Sequence, residues 1–137
     1  MTRSTNTGRP PVHFISTEAD NLTDLALGVA DTMPQVSELL LREIARATIH
    51  SAARVPSDIV TMYSTVQFKD EASGAERTVQ LVYPAEADIS AGRVSILTPV
   101  GAGLIGLREG HSIRWPDREG RERRLTILKV TQPERTV

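Results

Sequence analysis

The hydrophobic pattern of this chain changes its period near residue 55, and this change limits the fold more than any other feature of the sequence. Before it, apolar residues recur at the spacing of one face of a helix. After it, apolar and polar residues alternate, as they do in a strand with one buried face. Two successive patterns of this kind predict an α+β protein in which helices come first and a sheet follows.

Residues 15–54 are predicted to form a short antiparallel helical hairpin of the coiled-coil type. Each helix has one apolar face, formed in the first by Leu22, Leu25, Ala26 and Val29 and in the second by Val36, Leu39, Leu40, Ile44 and Ala47. Thr17 and Thr32 are the predicted N-caps, and Pro34 fits a first helical turn because its missing N–H has no helical partner there. The preceding residues 1–14 are predicted to be a loose tail.

Residues 55–137 are predicted to form a second domain, a twisted antiparallel sheet of about five strands wrapped on one short helix. In the last strand Ile127 and Val130 lie on opposite parities, which predicts a β-bulge between them. The strands and the helix supply their own apolar faces. The domain is therefore predicted to fold without the helical hairpin, with Trp115 buried in its core.

A GxGxxG string follows the third predicted strand and ends at Gly106. In a dinucleotide-binding fold such glycines let a pyrophosphate approach the start of a helix. That fold also needs a crossover of a dozen or more residues into a parallel strand, whereas the helix predicted here ends by Gly110. The pattern therefore favours glycines that let a short helix pack closely on a sheet.

Few residues of the chain have the types or the spacing of a reactive centre. It contains no cysteine, and His13, His50 and His111 lie in different predicted elements without the spacing of metal ligands. They are predicted to be surface or linker histidines, and the alternative that their spacing leaves open is a phosphohistidine or a catalytic dyad. No metal, no cofactor and no catalytic residue is predicted.

Charge and hydropathy limit the partners of the chain. The net charge of -1 and an aromatic content of 4% argue against sequence-specific binding of nucleic acid. The longest apolar run, residues 100–107, is far shorter than the ~20 residues that span a bilayer, so a cytoplasmic protein without membrane contact is predicted. The arginines from Arg108 to Arg124 are interleaved with acids, which is typical of a solvated hairpin, and a binding patch stays an alternative.

Three strings in the second half of the chain are informative as a set. They are residues 60–66 (VTMYSTV), residues 81–84 (LVYP) and residues 96–110 (ILTPVGAGLIGLREG). In this order and spacing they resemble the C-terminal domain of the GreA/GreB transcript cleavage factors, with Thr98 where that family has a serine. The segment 56–62 resembles the regulator of nucleoside diphosphate kinase within the same superfamily. The resemblance implies an FKBP-like fold for the sheet domain.

The resemblance also implies a partner, because proteins of this superfamily dock on RNA polymerase at the rim of its secondary channel. The docking residues that it implies are Leu97, Thr98, Pro99 and Val100. The hairpin tip would then point into the channel, and its residues are Asp31, Thr32, Met33 and Pro34. Cleavage factors carry a close acidic pair at this tip, whereas here Asp31 is the only acid in it.

These observations predict a non-enzymatic transcription regulator that occupies the channel rim and competes with Gre factors. One alternative is a Gre-like transcript cleavage or elongation factor that uses Asp31 alone. Another is a prolyl isomerase, suggested by the FKBP-like fold. The few aromatic residues of the chain are too scattered in the sequence to indicate the pocket that such an enzyme needs.

Overall fold

The computed structural model describes residues 10–116 and 122–134 and shows an α+β architecture. In chain order, its helices and strands are β1 (His13–Ile15), α1 (Ser16–Gly28), α2 (Pro34–Ala45), β2 (Thr48–His50), β3 (Thr65–Asp70), β4 (Glu76–Val82), β5 (Arg93–Ser95), α3 (Pro99–Leu104), β6 (Ser112–Pro116) and β7 (Glu122–Thr131). Within these described ranges, every helix is too short or too polar to cross a membrane.

Helices α1 and α2 pack against each other through the faces that the apolar spacing predicts. Their buried apolar side chains are Ala19, Leu22, Ala26, Val36 and Leu40. A buried hydrogen bond joins the two helices, because the Ser37 hydroxyl donates to the carbonyl oxygen of Ala26 at 2.7 Å. The polar Ser37 is therefore satisfied inside an apolar contact, which removes the cost of burying it.

Both helices begin without the threonine caps that the sequence predicts. Helix α1 follows β1 without a break, so Ile15 holds the cap position and Thr17 lies within the first turn. Helix α2 begins at Pro34, so Met33 rather than Thr32 precedes it. An N-cap is the last non-helical residue before a helix. The pairing of β1 sets that position for α1, and Pro34 sets it for α2. The two predicted caps are therefore wrong.

The main sheet has the strand order β5-β4-β3-β7-β6. The pairs β3–β4, β3–β7 and β6–β7 are antiparallel, as predicted. The edge pair β4–β5 is parallel, so the prediction of an entirely antiparallel sheet is wrong there. Two 3₁₀ turns, Pro84–Glu86 and Ile89–Ala91, carry the chain back between these strands. Strand β6 includes Trp115, whose side chain lies outside what the structure describes, so its burial stays a prediction.

Strand β7 contains the predicted β-bulge. Gln67 lies opposite Lys129 and the next residue, Phe68, lies opposite Ile127, so Leu128 is an extra residue in the ladder. The side chain of Leu128 is 40% exposed. The buried residues on either side of it are Leu125, Ile127 and Val130. The bulge thus lets one strand bury apolar residues of both parities.

Strands β1 and β2 form a small parallel sheet that the sequence pattern did not indicate. They lie directly before α1 and shortly after α2, so their pairing closes the base of the helical pair. Val12 and Phe14 are almost completely buried, and the His13 N–H donates to the carbonyl oxygen of Gly106 at 2.9 Å. Residues 12–14 therefore belong to the core and not to the predicted tail. Residues 1–9 of that tail lie outside the described part of the chain.

Helices and sheet share one hydrophobic core, to which β1, α1, α2, α3 and the main sheet all contribute. Its completely buried members include Leu22, Leu40, Leu81, Ile96 and Leu104. A segment beginning at residue 55 would thus lose the side chains that cover one part of its core. The structure argues against the prediction that the sheet domain folds without the hairpin.

Gly106 offers a direct test of the contact between β1 and the rest of the chain. Its φ is +84°, and a Cβ there would lie 3.0 Å from Phe14 Cε1 and 3.1 Å from the carbonyl oxygen of His13. Gly110 has a similar φ of +86° with nothing within 4 Å of its Cβ position. We expect Gly110→Ala to lower the free energy of unfolding by about 1–2 kcal/mol through backbone strain alone.

Gly106→Ala is expected to lose about 1–3 kcal/mol more, because its methyl group also displaces β1. Equilibrium unfolding of both variants in urea measures the difference. Equal losses in the two variants would show that β1 does not press on Gly106.

A truncated chain that begins at Pro56 tests whether the core is shared. We expect it to lose fixed tertiary packing, because removing β1, α1 and α2 exposes Leu81, Leu104 and their neighbours to water. A two-dimensional amide NMR spectrum with poor dispersion is the expected result. A dispersed spectrum and a cooperative melt would contradict the shared core.

Candidate functional site

The candidate docking surface is the corner at which the chain enters α3, and Thr98, Pro99 and Val100 are called here the α3 corner. Thr98 is the N-cap of α3: its hydroxyl accepts a hydrogen bond from the Gly101 N–H at 3.0 Å and donates one to the carbonyl oxygen of Ser95 at 2.8 Å. Pro99 occupies the first helical position, where its fixed φ suits the helix. The cap and the proline together hold the corner in one backbone conformation.

Gly101 keeps the α3 corner close to the sheet. A Cβ on this residue would overlap the carbonyl oxygen of Ser95 and would lie 3.1 Å from the Cδ1 atom of Leu81. The following residues of α3, Ala102 and Leu104, are completely buried. The first turn of α3 is thus packed closely on β4 and β5.

The four residues predicted to dock have different exposures. Pro99 is exposed, and Thr98 and Val100 are half-buried. Leu97 is only 7% exposed, and its N–H donates to the Ser95 hydroxyl at 3.0 Å. Three of the four residues therefore form a surface, while Leu97 supports that surface from the core.

The tip between α1 and α2 consists of exposed residues, which are Asp31, Thr32, Met33 and Pro34. The Met33 N–H donates to the carbonyl oxygen of Val29 at 2.7 Å, which closes the turn. Across the residues that the structure describes, no group of three or more His, Cys, Asp or Glu is arranged to hold a metal ion. Divalent cations such as Mg²⁺ take several oxygen ligands, and the tip supplies one carboxylate.

Two of the three glycines of the GxGxxG string have packing roles, as predicted. Gly101 lies against β5, and Gly106 lies against Val12 and Phe14 of the N-terminal segment. Helix α3 has six residues and is followed by β6, which pairs antiparallel with β7. This arrangement lacks the long helix and parallel strand that hold a dinucleotide.

The arginine cluster is partly neutralised by neighbouring acids. Arg108 Nε lies 3.1 Å from Asp58 Oδ2, and Arg114 lies 3.5 Å from Glu122. Such exposed pairs are typical of a solvated surface. The remaining arginines with undescribed side chains are Arg118, Arg121 and Arg123, so a binding patch in this region stays a prediction.

Two contacts near the site join distant parts of the chain and have no signal in the sequence. The Glu18 carboxylate of α1 accepts a hydrogen bond from the Met62 N–H at 3.1 Å. Tyr63 has a left-handed backbone with a φ of 66°, and its hydroxyl donates to Glu86 at 2.5 Å. This hydrogen bond to a carboxylate raises the pKa of Tyr63 to about 12. Tyr63 also packs edge-on against Tyr83, so it ties the turn after β4 to the start of β3.

Known proteins are similar to this chain over two different lengths. The family described as transcription elongation factor, GreA/GreB, C-term matches residues 55–132. The regulator of nucleoside diphosphate kinase from Escherichia coli strain K12 is 35% identical over 127 residues, which are 92% of this chain and 93% of that protein. The transcription elongation factor GreA from Azorhizobium caulinodans is 41% identical over 71 residues, which are 52% of this chain and 45% of that protein.

A solved structure agrees with both similarities. The prokaryotic transcription elongation factor GreA/GreB from Nitrosomonas europaea superposes with a TM-score of 0.71 at 37% sequence identity. The superposition covers 90% of this chain and 99% of that one, so the likeness includes the N-terminal helices as well as the sheet. The α3 corner lies within the matched residues 55–132, and the chain belongs to the GreA/GreB family.

Proposed function

We propose that the protein is a non-enzymatic transcription regulator that binds RNA polymerase at the rim of the secondary channel and competes there with Gre factors. The observation that carries the proposal is the rigid, exposed α3 corner within the part of the chain that matches the GreA/GreB family. The names of the relatives, a GreA elongation factor and a regulator of nucleoside diphosphate kinase, support a regulatory protein rather than an enzyme. RNA polymerase as partner implies that the protein acts in the cytoplasm.

The α3 corner has the chemistry of a docking surface. Pro99 and Val100 offer apolar area, and the hydroxyl of Thr98 already makes two hydrogen bonds within the protein. Covering the corner would therefore leave no polar side chain without a partner, which avoids the main cost of burying a hydroxyl. The fixed backbone also limits the conformational entropy lost on docking. Leu97 contributes by holding the corner in place from the core.

The hairpin tip is better suited to filling the secondary channel than to assisting transcript cleavage in the active centre. Helix α1 has 13 residues and is therefore only ~20 Å long at 1.5 Å per residue. Asp31 is the one carboxylate at the tip, since Glu38 lies in α2 and pairs with Arg42 at 3.2 Å. A single carboxylate on a short hairpin is a poor ligand for a second metal ion in the polymerase active centre.

In this proposal the chain divides by role into an N-terminal segment (residues 1–14), a helical hairpin (residues 15–54) and an FKBP-like docking domain (residues 55–137). A prolyl isomerase would need an open pocket lined by aromatic side chains. Phe14 and Phe68 instead lie in the hydrophobic core. The rings of Tyr63 and Tyr83 pack against each other.

Binding to polymerase is expected to depend on Pro99. The variant Pro99→Asp would place a charge in an apolar contact and should weaken binding by at least about tenfold, because an unpaired charge in an interface is costly. The matched control is Pro84→Asp, which makes the same change at the first position of the 3₁₀ turn Pro84–Glu86, where the proline is also exposed and lies outside both candidate surfaces.

Affinity for purified core polymerase measures both variants, and thermal melts confirm that each is folded. We expect the control to bind like the unmodified protein. A folded Pro99→Asp variant with unchanged affinity would move the docking surface away from the α3 corner.

Transcript cleavage separates the proposed function from the cleavage-factor alternative. We expect no added cleavage in backtracked complexes with this protein alone, because the tip cannot retain a metal ion. Mixed with a genuine Gre factor, the protein should reduce cleavage, and excess Gre factor should restore it because the two compete for one site. Strong cleavage by this protein alone that is lost in Asp31→Ala would establish the alternative instead.

A further inference from the structure

The fold brings together two histidines that are distant in the sequence and were predicted to lie on the surface or in linkers. His13 Nδ1 lies 3.0 Å from His50 Nε2, although the residues are 37 positions apart. Their ring centroids are 5.1 Å apart and the ring planes are inclined by 33°. His13 belongs to β1 and His50 to β2, so the hydrogen bond runs between the side chains of the small parallel sheet.

The small parallel sheet of β1 and β2 joins the start of α1 to the end of α2, and it also connects the helical pair to the docking domain. Strand β1 leads directly into α1, and β2 follows shortly after the end of α2. The Thr48 N–H donates to the carbonyl oxygen of Val12 at 2.9 Å. On the other side, the His13 N–H donates to Gly106, just beyond the end of α3. Strand β1 takes part in both hydrogen bonds, so a displacement of β1 away from β2 would also disturb its bond to Gly106.

We propose that His13 and His50 form a proton-operated clasp, which joins β1 to β2 at neutral pH and opens in mild acid. A hydrogen bond between two imidazole nitrogens needs an N–H on one and a lone pair on the other. Two neutral rings meet this need, and one added proton at the far nitrogen of the donor ring leaves the bond intact. A second proton makes both facing nitrogens donors, so the bond is lost and two cations face each other.

The surroundings of the clasp oppose protonation. The groups that interact electrostatically with His13 are Arg108, His50, His111 and Asp58. Asp58 is the carboxylate among them, and its oxygen is already 3.1 Å from Arg108. Burial, and then the charge of Arg108, lower the pKa of His13 below its usual value, and the same two causes lower the pKa of His111.

The sign of the pH dependence follows from these shifts. A histidine whose pKa is lowered by folding stays neutral in the folded state, while the unfolded chain binds a proton at about pH 6.5. The stabilising contribution is therefore complete above about pH 6.5 and is lost as the pH falls through the folded-state pKa. The change falls within the pH range in which histidine acts as a switch.

A metal ion does not account for the pair equally well. Zinc sites in proteins use at least three protein ligands. Residues 10–116 and 122–134 contain no group of three candidate ligands placed to hold an ion. We therefore assign the pair to proton binding and not to metal binding. A metal chelator is expected to leave the hydrogen bond between the two rings intact.

The test compares the full-length protein with the double variant His13→Asn/His50→Gln. The two amides place a donor and an acceptor where Nδ1 and Nε2 face each other, but they do not titrate. Amide hydrogen exchange, corrected for the intrinsic rate at each pH, is followed at Thr48 and His13 in the unmodified protein and at Thr48 alone in the variant. The Tyr63 N–H, which donates to Leu81 in the main sheet at 2.7 Å, is the internal control.

In the unmodified protein we expect protection at Thr48 and His13 to fall by about tenfold or more between neutral pH and about pH 5, with little change at Tyr63. In the double variant, protection at Thr48 should stay constant over this range. An equal loss of protection at Thr48 in both proteins, or no loss in either, would overturn the proposal. A loss at Tyr63 as large as that at Thr48 would also overturn it, because the opening would then be global.

A second measurement, which needs only the unmodified protein, tests the clasp even if the double variant does not fold. The ring signals of His13 and His50 in the unmodified protein are titrated by NMR. Two coupled steps, with the second proton bound at a lower pH than the first, are expected for a shared hydrogen bond. A single-step titration of His13 at about pH 6.5, without any effect of the second ring, would show that no clasp exists.

Discussion

The close approach of β1 to Gly106 joins the two halves of this molecule. Gly106 donates its N–H to Val60 and accepts a hydrogen bond from the His13 N–H, so one residue connects the segment before β3 with the N-terminal segment. Its position has room for no side chain, because Val12 and Phe14 fill the space where a Cβ would lie. Helix α1 follows β1 directly, so this contact fixes where the helical pair begins. The family match begins at residue 55, but the hydrophobic core extends across that position into the N-terminal helices.

The two candidate surfaces, the α3 corner and the tip between α1 and α2, differ in how firmly their residues are held. The α3 corner has a capped helix start and a proline, and beneath it lies Gly101, packed on the sheet. The tip between α1 and α2 has exposed side chains and no second acid beside Asp31. The rigid α3 corner suits a fixed docking contact. The tip, with a single acid, suits a segment that fills a channel without binding a metal ion there. The division supports a regulator that competes for a site over a factor that delivers a metal ion.

The sequence was most informative where contacts are local or where one period runs through a whole element. The apolar faces of α1 and α2, the pairing of β3 with β4 and the bulge at Leu128 all follow from spacing along the chain. Elements of three residues, such as β1 and β2, are too short to show a period. The predicted caps Thr17 and Thr32 failed for a related reason. Several residues near each helix start can cap it, and the neighbouring strand or proline selects one.

Apart from β1 and β2, the order of helices and strands was determined by the sequence itself, as were the α+β class and the family resemblance, because they depend on periodicity and on strings of adjacent residues. The tertiary structure alone decided the parallel β4–β5 edge, the sharing of one core and the exposure of Pro99 above a buried Leu97. It also decided which polar groups meet, such as His13 with His50 and Glu18 with Met62. These pairs lie 37 and 44 positions apart. No local rule specifies such a contact, since it exists only when the packed core brings the two segments to the same place.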